Sequence, residues 1–244
     1  MILVHTGTAR SASTWMEGIL LALCEELPLR CEARGPDSYR ERIATRRFQD
    51  GTVHPAVFLP WHELALEHCP HPWRVFHVRR DPRDALVSGY YSNAYSHVSN
   101  SVIDRRRPYL LAHSREDGLL WLMEQRHADA IEILLSHLGR GVADGCLSVE
   151  FADLIARPQA CIQALLDFAD LRIPERTLRD LVEARSFERL SGGRTPGQED
   201  ILNHYRKGVV GDWTTHFTPR VKEAYKERFG KALVELGYER SLVW

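Results

Sequence analysis

The first fifteen residues constrain this chain more than any other stretch. Ile2-Leu-Val-His-Thr-Gly-Thr-Ala-Arg-Ser-Ala-Ser-Thr-Trp15 runs from an apolar strand through a small, hydroxyl-rich, cationic turn into an apolar-periodic helix. A helix start carries N–H groups without intrahelical acceptors, and the macrodipole adds partial positive charge there, so such a turn suits an anion. Gly7, Ala12 and Ser13 are small enough for close backbone approach, Ser11, Ser13 and Thr14 add hydroxyl donors, and Arg10 adds a permanent forked cation. The segment reads as a phosphate cradle. A strand-turn-helix whose hydroxyls merely cap the helix would use the same residue types.

Set against the nucleoside-triphosphatase loop G-x-x-x-x-G-K-[ST], the segment keeps Gly7 and Thr14 but has Ala12 for the second Gly and Ser13 for the Lys. Without that Lys, magnesium-triphosphate chemistry loses its main charge clamp, which disfavours an NTPase.

A chain of 244 residues with 44% hydrophobic content is long enough for one large α/β domain, expected to span residues 1–244. Apolar patterning predicts strands at 2–5, 29–32, 56–59, 74–78 and 146–149. Helices are predicted at 13–26, 83–95, 116–138, 158–168, 174–184 and 218–236. This alternation predicts an α/β fold with a mostly parallel sheet and right-handed crossovers. Residues 35–51 and 96–114 read as variable loops, the second a lid, and both are expected to face an acceptor; 192–197 reads as a flexible connection.

No apolar run reaches the length of a membrane span, and the N-terminus lacks a signal-peptide pattern, so a cytoplasmic protein without a membrane partner is expected. The 32 basic and 33 acidic residues leave a net charge of -1, which gives no global field for nucleic acid. Five cysteines without CxxC spacing read as reduced thiols, with Cys24 and Cys161 on apolar helix faces. Twelve histidines show no H-x-x-x-H or H-E-x-x-H pair, so no metal site is expected.

Two further blocks carry chemistry. Val75-Phe-His-Val-Arg-Arg-Asp-Pro-Arg-Asp-Ala-Leu-Val-Ser88 is a strand ending in charge, followed by a helix opened by Pro82. It places Arg80 at the carboxyl end of a strand, where open α/β sheets bind ligands, with Ser88 as its partner on one anion. A local ion network of Arg80 with Asp81 or Asp84 would account for the same residues. Asn203-His-Tyr-Arg-Lys-Gly-Val-Val-Gly-Asp-Trp-Thr-Thr-His-Phe-Thr218 is a basic loop in which Gly208 and Gly211 permit close approach, while Trp213 and Phe217 read as core anchors.

Together these blocks resemble the sulfotransferases that use 3'-phosphoadenosine-5'-phosphosulfate (PAPS). The family's 5'-phosphosulfate loop, T-x-P-K-S-G-T-T-W, lines up with Gly7-Thr-Ala-Arg-Ser-Ala-Ser-Thr-Trp15. Its R-N-x-x-D-x-x-V-S block lines up with Arg80-Asp-Pro-Arg-Asp-Ala-Leu-Val-Ser88, and R-K-G-x-x-G-D-W is present letter for letter from Arg206 to Trp213. Phe151-Ala-Asp-Leu-Ile-Ala-Arg-Pro158 is similar to the family's Y-E-D-L-x-x-x-P, and Ser186-Phe187 to its S-F pair.

The resemblance implies a P-loop-like, three-layer fold and transfer of the sulfuryl group to a hydroxyl or amine of a small-molecule acceptor, releasing 3'-phosphoadenosine-5'-phosphate (PAP), with no metal required. It implies that Arg10, Ser11, Ala12, Ser13 and Thr14 hold the 5' end, that Arg80, Ser88, Arg206, Lys207 and Gly208 hold the 3'-phosphate, and that Trp15 and Phe187 flank adenine. Arg10 stands for the family's commoner Lys and serves as an electrostatic clamp, because arginine does not give up its proton. The family's catalytic His belongs to a K-T-H-x-P segment; an ungapped count puts Phe58 there. His62, just past the same predicted strand, is the expected general base, with His54 and Glu63 as substitutes. The family's dimer motif, K-x-x-x-T-V-x-x-x-E, falls on 214–223 and keeps only Thr218 and Glu223, leaving a homodimer open. The alternatives are a non-catalytic PAP-binding module and a P-loop small-molecule kinase.

Overall fold

The computed structural model describes residues 1–125 and 127–244. Among these, five strands form one parallel sheet: β1 (Ile2–Gly7), β2 (Arg30–Cys31), β3 (Thr52–Val57), β4 (Trp73–Arg79) and β5 (Cys146–Glu150), in spatial order β2-β3-β1-β4-β5. All six residues of β1 are buried, which suits the central strand of a sheet covered on both faces.

The described helices are α1 (Ser13–Glu26), α2 (Pro36–Thr45), α3 (Pro82–Tyr91), α4 (Ile103–Ala112), α5 (Arg115–Gln125), α6 (His127–Ser136), α7 (Phe151–Ala156), α8 (Pro158–Phe168), α9 (Glu175–Glu183), α10 (Phe187–Leu190) and α11 (Pro219–Glu235). Leu3, Phe76 and Val78 project from one sheet face into a core built with Met16 and Ile19 of α1, Ile162 and Leu165 of α8 and Leu178 of α9. Ile2, Val4 and Val75 project from the other face onto Tyr39 of α2 and Leu64. The result is a three-layer arrangement, extended by a third cluster in which Tyr90, Leu119 and Tyr225 join α3, α5 and α11.

Several expectations change. Strand β3 begins at Thr52, four residues before its predicted start, and ends at Val57. Its polar positions Thr52 and His54 and its proline hid it, yet all three are buried. Pro55 has no N–H to donate to a ladder, and the pairing of β1 with β3 shifts register between Val4 and Thr6. Ala56 adopts φ 56° there, and its N–H donates to His5 Nδ1 at 3.1 Å, so a side chain completes the irregular pairing.

Residues 35–51 and 96–114 are not simple loops, because α2 and α4 occupy much of them. Gly35 and Pro36 open α2 as a turn and a first-turn proline, and the mostly polar exposed face of that helix masked its one buried anchor, Tyr39. The predicted helix 83–95 continues past α3 as a π-turn over Ser92–Ser96. The predicted helix 116–138 crosses residue 126, which lies outside the described residues; on either side the chain forms α5 and α6.

Candidate functional site

The site is assembled where β1 passes into α1. Gly7 has no room for a side chain: a Cβ there would lie 2.7 Å from Ser11 Oγ and 2.8 Å from the Val78 carbonyl oxygen. The turn therefore packs directly on β4. Ser11 closes it from within, its hydroxyl donating to the Thr8 carbonyl at 2.6 Å and accepting from the Thr8 N–H at 3.1 Å. Buried in this way, Ser11 braces the turn and does not line the cavity beside it.

Arg10 and Ala12 adopt φ values of 73° and 63°, left-handed conformations that cost a non-glycine residue free energy and recur at functional turns. Such alternation turns successive backbone N–H groups toward one concavity, a shape that binds anions. Ala12 is also the N-cap of α1 and, having no polar side chain, offers its first turn no side-chain acceptor. The N–H groups of that turn remain for a ligand.

The concavity opens into a cavity of about 1050 Å³. Arg10, Ala12, Ser13, Thr14, Trp15, Arg80, Ser88, Phe187, Arg206, Lys207 and Gly208 all line it, so residues far apart in the chain meet at one cavity. Arg10 Nε donates to Ser88 Oγ at 3.0 Å, and Arg80 Nη1 donates to the Arg10 carbonyl at 2.6 Å. Neither Asp81 nor Asp84 pairs with Arg80. Asp81 caps α3 and pairs with Arg83, while Asp84 accepts the N–H groups of Gly211 and Trp213 at 2.7 and 2.9 Å. Asp84 thus ties the late basic loop to α3.

Arg80 instead lies over the Phe151 ring, its guanidinium carbon 4.0 Å from the centroid, and its buried Nε has no hydrogen-bond partner. Burial, with Arg80 and Arg206 nearby, lowers the Arg10 guanidinium to about 10. Burial, together with Arg206 and against the pull of Asp84, lowers Arg80 to about 10 as well. These arginines repel one another across an apolar-walled cavity, a situation that a multiply charged anion would relieve.

The late loop handles its charge differently. Arg206 pairs with Glu199 and Asp212, and Lys207 Nζ pairs with Asp212 Oδ1 at 2.5 Å. Burial opposes ionisation of Asp212, but hydrogen bonds from His216, Arg206 and Lys207 hold its carboxyl far below the usual range. Gly208, at φ 66°, packs so tightly that a Cβ would sit 2.7 Å from the Phe187 ring. Trp15 is fixed by its indole N–H, which donates to the Arg185 carbonyl at 2.7 Å, so two aromatic rings border the cavity at set positions.

The residues weighed as general base lie elsewhere. His62 is exposed in a short turn (Trp61–Leu64) and lines a separate hollow with Glu132 and Phe229. His54 is buried against the edges of Tyr39 and Phe48. Glu63 pairs with Arg40. The earlier start of β3 puts His54 inside the strand, and neither His62 nor Glu63 lines the cavity that the arginines face. Trp213 and Phe217 are packed together in the third core cluster, as expected of anchors.

Sequence reasoning missed the scaffolding carboxylates and the cavity's own histidine. In the sequence Asp84 reads only as an ion partner of Arg80, and Asp212 matches the family pattern without a role. Arg194, which donates to the carbonyls of Arg206 and Tyr205 at 2.7 and 2.6 Å, lay in a stretch read only as a flexible connection. His204 and Tyr205 line the cavity although nothing in their spacing marks them.

The sulfotransferase domain family model matches residues 5–237. A 3-alpha-hydroxysteroid sulfotransferase of Cavia porcellus is 26% identical over 207 residues, which is 79% of this chain and 67% of that protein. Sulfotransferase 1A1 of Canis lupus familiaris is 26% identical over 175 residues, or 67% of this chain and 56% of that protein. The chain therefore spans between about half and two thirds of these relatives' length. Among solved structures, mouse sulfotransferase SULT7A1 complexed with PAP is similar with a TM-score of 0.68 at 15% identity, covering 95% of this chain and 84% of that one. Retinol dehydratase in complex with androsterone and inactive cofactor PAP follows the same fold with a TM-score of 0.61 at 14% identity, covering 95% and 80%.

Proposed function

The chain belongs to the sulfotransferase family, and from that membership we propose that it holds PAPS in the cavity described above and transfers the sulfuryl group to a hydroxyl of a small-molecule acceptor, releasing PAP. One observation carries the reading. Arg10 and Arg80 face a single cavity with Arg206, and among the described residues no carboxylate forms an ion pair with either of the first two. A nucleotide phosphorylated at both ends supplies the missing charge.

The donor set fits that ligand. The N–H groups at the start of α1, with Ser13, Thr14 and Arg10, suit the 5' end, while Arg80, Ser88, Lys207 and the Gly208 backbone suit the 3'-phosphate. Trp15 and Phe187 offer rings between which adenine is held. PAPS supplies an activated sulfuryl group carried on a phosphate leaving group. Arg10 stabilises the charge that develops on that oxygen, and does so without moving a proton. Ser88 and the Arg80 contact to its carbonyl hold Arg10 in place beforehand.

For the acceptor, support comes from the relatives: one is named for hydroxysteroids, and the retinol dehydratase structures hold androsterone or retinol. Among the described residues no helix is long and apolar enough to cross a membrane. A cytoplasmic location and a single catalytic unit over residues 1–244 belong to the same proposal.

Thermal unfolding with PAP, AMP and magnesium-ATP tests the binding part. PAP at 100 times its Kd should stabilise the protein by about 2.7 kcal/mol, and the others hardly at all. Equal shifts with PAP and AMP would overturn the reading. A mass-spectrometric screen for sulfate transfer across phenols, alcohols, amines and sugars then identifies the acceptor.

A further inference from the structure

We infer that His204 is the general base that takes the acceptor's hydroxyl proton, an inference that rests on the transfer reading above. Among the described residues it is the one histidine lining the cavity that Arg10 and Arg80 face. Phe58, at the position where the family pattern has its histidine, has no atom that accepts a proton.

Its placement follows from the groups around it. His204 immediately precedes Tyr205 and Arg206, and its ring meets that of Tyr205 edge-on, with centroids 5.3 Å apart at 80°. Three cationic or titratable groups from separate segments act on it: Arg10 in the opening turn, His97 beyond the π-turn, and Arg34 beyond β2. Arg10 marks the reacting end of the nucleotide site. Arg34 immediately precedes segment 35–51 and His97 lies within 96–114, the two segments expected to face the acceptor. The imidazole therefore stands at the junction of the two.

Electrostatics then couple this base to nucleotide binding. Burial first, then Arg10, His97 and Arg34, push His204 down to about 4. Tyr205, which also faces Arg10, is pushed up by its burial and stays a neutral phenol. In the free protein His204 is thus neutral at pH 7 but weakly basic. Phosphate charge placed on Arg10 cancels part of the field that lowers it, so its proton affinity rises when the nucleotide is bound. Base strength is delivered when the reacting group is present.

A lone pair on the His204 imidazole takes the hydroxyl proton, the acceptor oxygen's electron pair forms the new S–O bond, and the old S–O bond breaks with its pair left on the 5'-phosphate oxygen beside Arg10. The imidazolium afterwards releases its proton to solvent.

Two variants, His204→Gln and His204→Ala, test this. Both should lose about 100-fold or more in kcat while KM and the PAP-induced thermal shift stay near those of the parent. The parent's kcat should rise with pH through one ionisation that the variants lack, and the loss should shrink for more acidic phenols. An independent readout is histidine NMR: the His204 signal, identified by its absence in the Gln variant, should titrate at a higher pH with PAP bound than without. Variants that keep kcat within about threefold while PAP still stabilises them would overturn the assignment, as would a His204 titration unmoved by PAP. Failure of PAP to stabilise the parent protein would instead remove the transfer reading and this inference with it.

Discussion

The two basic segments that face the cavity keep their charge in opposite ways. In the opening turn Arg10 donates to a hydroxyl, and Arg80 donates to Arg10's own carbonyl; both are held below the ordinary arginine range by burial first and then by neighbouring arginines, Arg80 and Arg206 acting on Arg10 and Arg206 acting on Arg80. In the late loop Arg206 and Lys207 already share Asp212, which is 5% exposed. An anion arriving at the first displaces no ion-paired carboxylate among the described residues, although Asp84 already pulls on Arg80. At the second it competes with a carboxylate, so the net gain is smaller and positioning is the main contribution. Similar residue types on one cavity wall therefore serve as an electrostatic driving force on one side and a preset frame on the other.

The contrast is sharpest at Arg10. Arg10→Ala should lower kcat by about 100- to 1000-fold, the usual loss on removing one transition-state donor, measured with labelled sulfate from PAPS. Near-parent turnover would remove its role as clamp. Arg80→Ala should weaken PAP binding by about 100-fold in calorimetry, because a buried charge contact is lost and the Phe151 face is left without its cation.

Lys207→Ala should weaken PAP by only about tenfold, since Asp212 keeps Arg206 and His216 as partners. An effect equal to that of Arg80→Ala would break the distinction between driving force and frame. The smallest change concerns strain. Ala12→Gly removes the left-handed penalty at φ 63° but loosens the unfolded chain, for a net gain of about 0.5 kcal/mol, read as a small rise in Tm. A fall in Tm would show that Ala12 is held there without cost.

Much of the residue set that lines the cavity was legible in the sequence because its signals are local. Helix α1 spans the predicted 13–26, and Pro82 opens α3. The opening turn, the Arg80 block and the Arg206 loop each hold a phosphate-suited residue set within a dozen positions; the parallel pairing of β1 with β4 brings the first two to the same edge of the sheet, and Asp84 ties the third to α3. Within that set only Ser11 turns inward, because its hydroxyl is needed to close the turn over Gly7.

The acceptor side was not legible in the same way. A β-strand's bounds decide which histidines lie inside it and which beyond it, and β3 is disguised by Thr52, His54 and Pro55 at buried positions. Periodicity reads such residues as exposed. Only the pairing with β1 and β2, with His5 repairing the ladder at Ala56, makes them a strand.

What the amino-acid order determined by itself is the chemistry that short segments hold: an anion-binding turn at a helix start, an arginine at a strand end and a glycine-punctuated basic loop. What only the folded chain decided is how the late basic loop is held against α3, and which histidine lines the cavity with Arg10. Those choices depend on contacts between residues more than a hundred positions apart, as Asp84 to Gly211 and Trp213 illustrate, and no local pattern encodes a distance of that kind.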